Sequence, residues 1–515
     1  MPQSIAQSFL RSVERQLSSD AVIAPRGTWS YEALAGLAGA VANYLAALNL
    51  ERGDRVGLLL QNSAEYVGVF YGTQVSGRVT VPLNFQEPAT VIAHLLEHCE
   101  ARVLFVQRTY RDLKALQAIL QERGVEVVVI QRGDVEANDR STWADIRRAA
   151  TTDCQQYFVD TRSGDLASIM YTSGTTGNPK GVMLSQRNLF ANTASILDYL
   201  DLSWIDRGFN ILPFHYSFGN SVLHTHMTAG ACLVLQDNVA FPRVVLAALQ
   251  EHRASGFYGV PTTFSLLFGA GSLAEYDFSS LRYVAQAGGP MSVEQTRYLQ
   301  EVLPGVDIFV MYGQTEATAR LTCLPPGFLE SKIGSVGTPI AGVKLRLGPD
   351  DSNRGSADAP LDVYVSGDNI MLGYWKDPIG TAAVLRDGWL RTGDLGYMDE
   401  DGFLYLTGRS SEMIKTGANR VSPQEIEEVI AGFEEVEAVA AYPVPDVTLG
   451  QAIAVAIVCK PGVDLPAKLV QRRCRAALSP YKVPKHLRFV DALPRTSSGK
   501  IKRLALAREF EENKQ

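Results

Sequence analysis

The chain of 515 residues is 46% apolar and 20% charged and carries a formal net charge of −7. At roughly 150 residues per domain this length excludes a single small domain and implies three or four structural units, and the composition excludes disordered and fibrous classes. The acidic balance argues against a general nucleic-acid binder, whose footprint would be basic.

The opening stretch, MPQSIAQSFLRSVERQ, mixes polar and apolar residues as an amphipathic helix would, and shows neither a signal peptide nor an anchor. From Asp54, short β-rich runs alternate with longer segments of helical period: DRVGLLL, SAEYVGVFYGTQVSG, RVTVPL, PATVIAHLLEHC and ARVLFV. Such alternation predicts βα units and a mostly parallel sheet. It resumes after Leu166 with SIMYT, a Gly/Thr-rich loop, the helix-like NLFANTASILDYL and further strand–helix pairs, ending in DIFVMYG. Between Gly334 and Thr407 the runs VKLRL, DVYVSG and FLYLTG, with a turn signal at Asp401-Gly402, predict hairpins. After Arg409 a capping box on Ser422 and Glu425, with Pro423 at the first helical position, predicts a helix. Strands EAVAAYPV and QAIAVAIVC follow, then a basic helix through LVQRRCRAAL and a loop, PRTSSGKIKR.

The expected fold is α/β: a large N-terminal domain, 1–408, of two α/β sheets plus a small β region, and a small mobile α/β C-terminal domain, 409–515. From Arg409 onward 17 Lys and Arg face 13 Asp and Glu, so the tail is a basic unit on an acidic body. No run approaches the roughly 18 apolar residues of a membrane span. Cys99, Cys154, Cys232, Cys323, Cys459 and Cys474 are scattered without a CxxC pair, which indicates neither a disulfide framework nor a cysteine zinc site and suits a cytoplasmic location. His94 and His98 lie four apart, as metal-binding histidines on a helix can, but the HExxH glutamate is absent and the stretch reads as an ordinary amphipathic helix.

The most informative stretch is Tyr171-Thr-Ser-Gly-Thr-Thr-Gly-Asn-Pro-Lys180-Gly, after a predicted strand and before a helix. Glycines such as Gly174 and Gly177 let backbone N–H groups approach phosphate oxygens, the hydroxyls of Thr172, Ser173, Thr175 and Thr176 add donors, and Lys180 adds charge. It is not a Walker P-loop, because Gly181 follows Lys180 where that motif needs Ser or Thr. Four further motifs follow in order: Tyr312-Gly-Gln-Thr-Glu316, Trp389-Leu-Arg-Thr-Gly-Asp394, Gly408-Arg409 through Lys415, and Pro494-Arg-Thr-Ser-Ser-Gly-Lys500. With these motifs the chain resembles, over essentially its whole length, the AMP-forming adenylating enzymes: acyl- and aryl-CoA synthetases, peptide-synthetase adenylation domains and beetle luciferases. It looks closest to stand-alone acyl-CoA synthetases and acyl-AMP ligases.

The resemblance implies a role for each motif residue. Tyr312 stacks on adenine, with Gly313 following it and Ala287-Gly288-Gly289 lining the same slot, since an aromatic face matches a base. Thr315 hydrogen-bonds the α-phosphate, and Glu316 holds Mg²⁺, a hard cation that prefers oxygen ligands. Asp394, whose two oxygens can accept from both ribose hydroxyls, and Arg409 complete the nucleotide site. Lys500 is the catalytic lysine, bridging carboxylate and α-phosphate oxygens in the transition state. His215 takes the aromatic position that gates the carboxylate pocket.

The implied reaction uses ATP and Mg²⁺ to turn a small carboxylic acid into an acyl-adenylate with release of pyrophosphate. A thiol then displaces AMP, either CoA or the phosphopantetheine of an acyl or peptidyl carrier protein acting in trans. In the family the C-terminal domain rotates about a hinge near the Gly408-Arg409 motif between the steps. Two departures stand out: Ser411, followed by Glu412, where the hinge usually carries Asp or Lys, and Ala418 beside Gly417 in the loop that lines the pantetheine tunnel. Domains that take amino acids usually carry Asp just after the gating aromatic, and here that position is Tyr216, which favours a plain acid. The implied pocket comprises His215, Phe218, Asn220, Tyr258 to Thr262 with Val260 among them, Ala287 to Gly289, Gly313 and Ala317 to Ala319. The alternative is a stand-alone amino-acid adenylating enzyme that loads a carrier protein. A luciferase-like oxygenase is a rival, and a non-catalytic nucleotide binder is disfavoured by the presence of Lys180, Glu316 and Lys500 together. Neither nucleic acid nor a membrane span enters this reading.

Overall fold

The βα alternation read from Asp54 builds a seven-stranded sheet in the order Gly373–Tyr374, Lys180–Ser185, Leu166–Thr172, Val79–Pro82, Arg55–Leu59, Ala101–Gln107 and Glu126–Ile130. The computed structural model describes the chain apart from residues 1–3, 134–138, 140, 151–154, 173–178, 237–240, 269–272, 350–353, 358, 410–412, 417–418, 447–448, 479, 496–500 and 513–515. The five strands from Leu166–Thr172 onward are parallel, and Gly373–Tyr374 and Lys180–Ser185 are antiparallel additions. Helices cover the central strands, so Val79–Pro82 is buried at every position; that is why these strands read as unbroken apolar runs.

A nine-stranded sheet follows the order Thr338–Pro339, Thr322–Leu324, Asp307–Tyr312, Tyr283–Gln286, Gly256–Gly259, Arg207–Asn210, Cys232–Leu235, Asp20–Ala24 and Gly27–Ser30. The six strands from Asp307–Tyr312 to Asp20–Ala24 are parallel. The amphipathic helix expected at the start forms over Ile5–Gln16, with Ser4 accepting from Gln7 N. The hairpin behind it was not legible in the sequence. Asp20–Ala24 is a short run whose parallel partner, Cys232–Leu235, lies more than 200 residues away, and Val22 pairs with Leu233. Hairpins also form between Gly334 and Thr407, where Trp389–Met398 pairs antiparallel with Leu404–Arg409 across the Asp401-Gly402 turn. They belong to a five-stranded sheet that includes Val343–Leu347, Leu361–Gly367 and Leu385–Arg386.

The chain divides into two compact units, Met1–Lys344 with Val365–Leu390, and Leu345–Tyr364 with Arg391–Gln515. The second contains the whole of the expected lid, 409–515. In that region Val436–Asp446 and Gly450–Cys459 pair antiparallel, and His486–Phe489 adds in parallel. Alternate residues feed two cores: Val439, Ala441, Ile453, Val455 and Ile457 face one side, and Ala440, Tyr442, Ala454 and Ala456 face the other with Leu506 and Phe510. The helix expected after Ser422 forms over Pro423–Ala431, but the capping box does not. Ser422 Oγ donates to the Thr407 carbonyl and Glu425 takes Lys482 Nζ at 2.6 Å; tertiary partners outcompete the local cap. Among the described residues no helix is long and apolar enough to cross a membrane, and the five described cysteines are free thiols.

Candidate active site

Four neighbouring strands of the nine-stranded sheet, Arg207–Asn210, Gly256–Gly259, Tyr283–Gln286 and Asp307–Tyr312, are parallel, so the loops that follow them emerge at one edge. Ligands of open α/β sheets bind outside such carboxyl ends. In strand order these loops carry His215, Val260, Ala287 to Gly289, and Gly313 to Ala317. Three inter-strand steps of about 4.8 Å span roughly 14 Å, room for an acid at one end and a nucleotide at the other. The sheet therefore brings together, from four distant segments, the residues singled out for the acid pocket and the adenine slot.

At the end where the nucleotide is expected, Tyr312 is the buried last residue of its strand. A Cβ on Gly313 would lie 1.8 Å from the Ala319 carbonyl oxygen, so only glycine allows the chain to fold back there. Gly288, at φ +87°, likewise suits glycine alone. Gln286 Nε2 donates to the Gly289 carbonyl at 2.7 Å and steadies that turn. Thr315 and Glu316 lie in a short 3₁₀ turn, Thr315–Ala317. Asn369 accepts from Thr318 Oγ1 with its carbonyl and donates through Nδ2 to Ala317 O and Arg320 O, which pins the turn.

Glu316 Oε1 accepts a hydrogen bond of 2.9 Å from the Tyr374 hydroxyl. The Tyr374 ring lies beneath Lys180 Nζ, 4.5 Å from the centroid, and Asp377 Oδ2 is 3.9 Å from the same ammonium. Thr172 and Lys180 are register partners at the mouth of an antiparallel pair, so the glycine-rich segment leaves and rejoins the sheet at neighbouring points. Ser173, Gly174, Thr175, Thr176 and Gly177 lie outside the described residues, as do Lys500, Ser411, Glu412, Gly417 and Ala418. Tyr374 escaped the sequence reading because its motif, GYW, carries no chemistry by itself; it comes under Lys180 because Tyr374 pairs with Val182.

At the end where the acid is expected, Asn62 holds the approach to His215, donating to Leu212 O at 2.8 Å and accepting from Phe214 N at 2.9 Å. His215 packs on Tyr216 at 4.1 Å between ring centroids, and its Nε2 is enclosed without a partner among the described residues. Burial pushes its pKa down to about 4, so the ring is neutral at pH 7. Phe218 opens the helix Ser217–Ala229 and meets Tyr258 edge-on. Asn220 and Tyr258 are more deeply committed: Asn220 Oδ1 meets His224 Nε2 at 2.7 Å, and the Tyr258 and Tyr283 hydroxyls share a hydrogen bond. Thr315 Oγ1 donates to Ser217 Oγ at 3.2 Å, which joins the Glu316 turn to the start of the acid-end helix. His94 and His98 form no metal pair with any third ligand among the described residues; His98 Nδ1 meets the Tyr171 hydroxyl at 2.8 Å instead.

In the second unit Asp394 and Arg409 are cross-strand partners, and Arg409 Nε donates to Asp394 Oδ1 at 2.9 Å. The carboxylate is nearly buried, and the charge-assisted hydrogen bond from the guanidinium orients it.

The chain matches the family described as AMP-binding enzyme over residues 9–375 and the AMP-binding enzyme C-terminal domain over 425–500. A feruloyl-CoA synthase of Amycolatopsis sp is 31% identical over 484 residues, covering 93% of this chain and 94% of that protein. A sulfoacetate–CoA ligase of Cupriavidus necator is 32% identical over 486 residues, covering 93% and 92%. Among solved structures, the anthranilate CoA ligase AuaEII with anthranoyl-AMP superposes with a TM-score of 0.89 at 26% identity, covering 99% of this chain and 98% of that one. ATP-bound MatB from Rhodopseudomonas palustris superposes equally well, at 0.89 with 27% identity and full coverage of both chains.

Proposed function

Because the chain belongs to the AMP-binding enzyme family, we propose that Lys180, Tyr374, Glu316 and Thr315 form the phosphate end of its adenylating site, and His215 with Phe218 the acid end. The protein is an AMP-forming acid–thiol ligase. It activates a small carboxylic acid with ATP as the acyl-adenylate, releasing pyrophosphate, and passes the acyl group to CoA. The observation that carries the site assignment is the run of contacts from Lys180 through Tyr374 to Glu316. It couples a cation at the foot of the glycine-rich loop to a carboxylate, the pair of charges that a polyphosphate with its divalent cation needs.

Glu316 suits Mg²⁺. One oxygen is steadied by Tyr374 and the other accepts from no described residue, and Mg²⁺ is commonly held by one or two carboxylates with the remaining positions left to phosphate and water. When bound, the ion would neutralise charge on the phosphate oxygens. Tyr312 with Ala287 to Gly289 takes the adenine, Asp394 with Arg409 the ribose, and Ser173 to Gly177 the phosphates. Lys500 bridges the carboxylate and α-phosphate oxygens. His215, a neutral ring with an unengaged nitrogen, closes the acid pocket without bringing a charge that would trap the carboxylate. The boundary at 409 and a cytoplasmic location, which suits free thiols at the five described cysteines, belong to the same proposal.

The test is carboxylate-dependent ATP–pyrophosphate exchange over fatty, aryl and amino acids, followed by CoA. Exchange with an acid and conversion to its CoA thioester is the expected result; exchange without turnover of CoA would point to a carrier-protein thiol instead. No exchange with any acid would end the reading.

A further inference from the structure

Arg320 is the only buried Lys or Arg among the described residues, with 1% of its surface exposed. Its backbone is fixed on both sides: the amide donates to Asn192 Oδ1 at 3.3 Å, and the carbonyl accepts from Asn192 Nδ2 at 2.9 Å and Asn369 Nδ2 at 3.0 Å. The guanidinium is thereby carried inward from the Glu316 turn to the acid-end helix, where its Cζ lies 4.0 Å over the Phe218 ring. Around it are neutral groups. Nε donates to Met311 Sδ at 3.3 Å, the Tyr199 hydroxyl donates to the same sulfur at 3.0 Å and contacts the guanidinium, and Tyr258 and Cys323 lie near it. No carboxylate among the described residues forms an ion pair with it.

A thioether is a weak acceptor, and an aromatic face offsets only part of the desolvation of a full charge. Buried charges are otherwise paired, and this one has no counter-ion among the described residues. Phe218 occupies one face of the guanidinium, but the donors of the fork lie in its plane, and two neutral neighbours do not exhaust five N–H groups. The Thr315–Ser217 hydrogen bond ties the turn assigned to the phosphate end to the residue before Phe218.

We propose that the acid activated here carries a second oxyanion, in the simplest case a second carboxylate, which accepts hydrogen bonds from Arg320 beyond Phe218. This deepens the adenylation reading and rests on it. The substrate is then a dicarboxylic or comparable doubly anionic acid whose one carboxylate reacts while the other is read by the guanidinium, a bidentate match.

Matched acids test this: butyrate against succinate, hexanoate against adipate, and 3-phenylpropanoate against its 4-carboxy derivative, in pyrophosphate exchange with wild type and Arg320→Met. The wild type should favour the diacid of at least one pair, and Arg320→Met should lower the diacid-to-monoacid ratio of kcat/KM by about 10- to 100-fold, mainly through KM. If Arg320→Met does not fold, Arg320→Lys, which keeps the charge and loses the fork, should still lower that ratio. A wild type that prefers the monoacid in every pair, or a ratio unmoved in the folded variant, would overturn the assignment of Arg320 and leave adenylation standing. Exchange with no acid at all would overturn adenylation and this inference with it.

Discussion

Tyr374 does two things with one side chain: its ring carries Lys180 and its hydroxyl orients Glu316. Tyr374→Phe keeps the ring and removes the hydroxyl, so it should preserve stability while raising the Mg²⁺ concentration for half-maximal exchange by about tenfold, the scale at which groups behind a metal ligand act. An unchanged Mg²⁺ titration would separate Tyr374 from the metal. Asp394→Ala should raise the KM for ATP with a smaller effect on the KM for the acid, and equal KM values in variant and wild type would remove it from the ribose site. The residues of both tests differ in legibility. Asp394 and Glu316 sit inside strings whose order alone marks them, whereas Tyr374 becomes visible only through a strand pairing with Val182.

The helix Ser217–Ala229 shows what an element can hide. It contains His224 and His226, both fully enclosed, and follows His215. Burial pushes the pKa values of the three down to about 3, 4 and 4 in the order His224, His226, His215, below the ordinary value of about 6.5. The folded state therefore keeps them neutral while the unfolded chain takes up protons below about pH 6.5. Their contribution to stability is full above that pH and is lost as pH falls toward 4. Between pH 6.5 and 5, chemical denaturation should show a stability slope of up to about three protons, and His224→Gln should flatten it by about one. A slope equal in variant and wild type would mean that His224 is protonated in the fold. The same element-scale competition explains Ser422: the local box is encoded, but a strand carbonyl at Thr407 takes the hydroxyl.

At the scale of the molecule, two half-reactions share one chain. On either side of the segment that holds Lys500, Arg495 and Ile501 form an antiparallel bridge, and Lys502 N donates to Pro494 O at 2.8 Å. The proposed role places Lys500 in adenylation and not in thioester formation. Lys500→Ala should cut adenylate formation by at least about 10² and spare thioester formation from supplied acyl-AMP; equal loss of both would make Lys500 common to the two steps.

By itself the sequence determined the βα alternation, the two-part organisation, the order of five motifs and, through them, the chemistry. Hydrophobic period, turn chemistry and a motif string are each written within about ten neighbouring residues. Only the tertiary structure decided that Tyr374 serves Glu316 across 58 residues, that Asp20–Ala24 is a strand, and that Arg320 is buried against Phe218 with no counter-charge among the described residues. Those outcomes depend on which strands become neighbours and in what register, and no spacing along the chain specifies that.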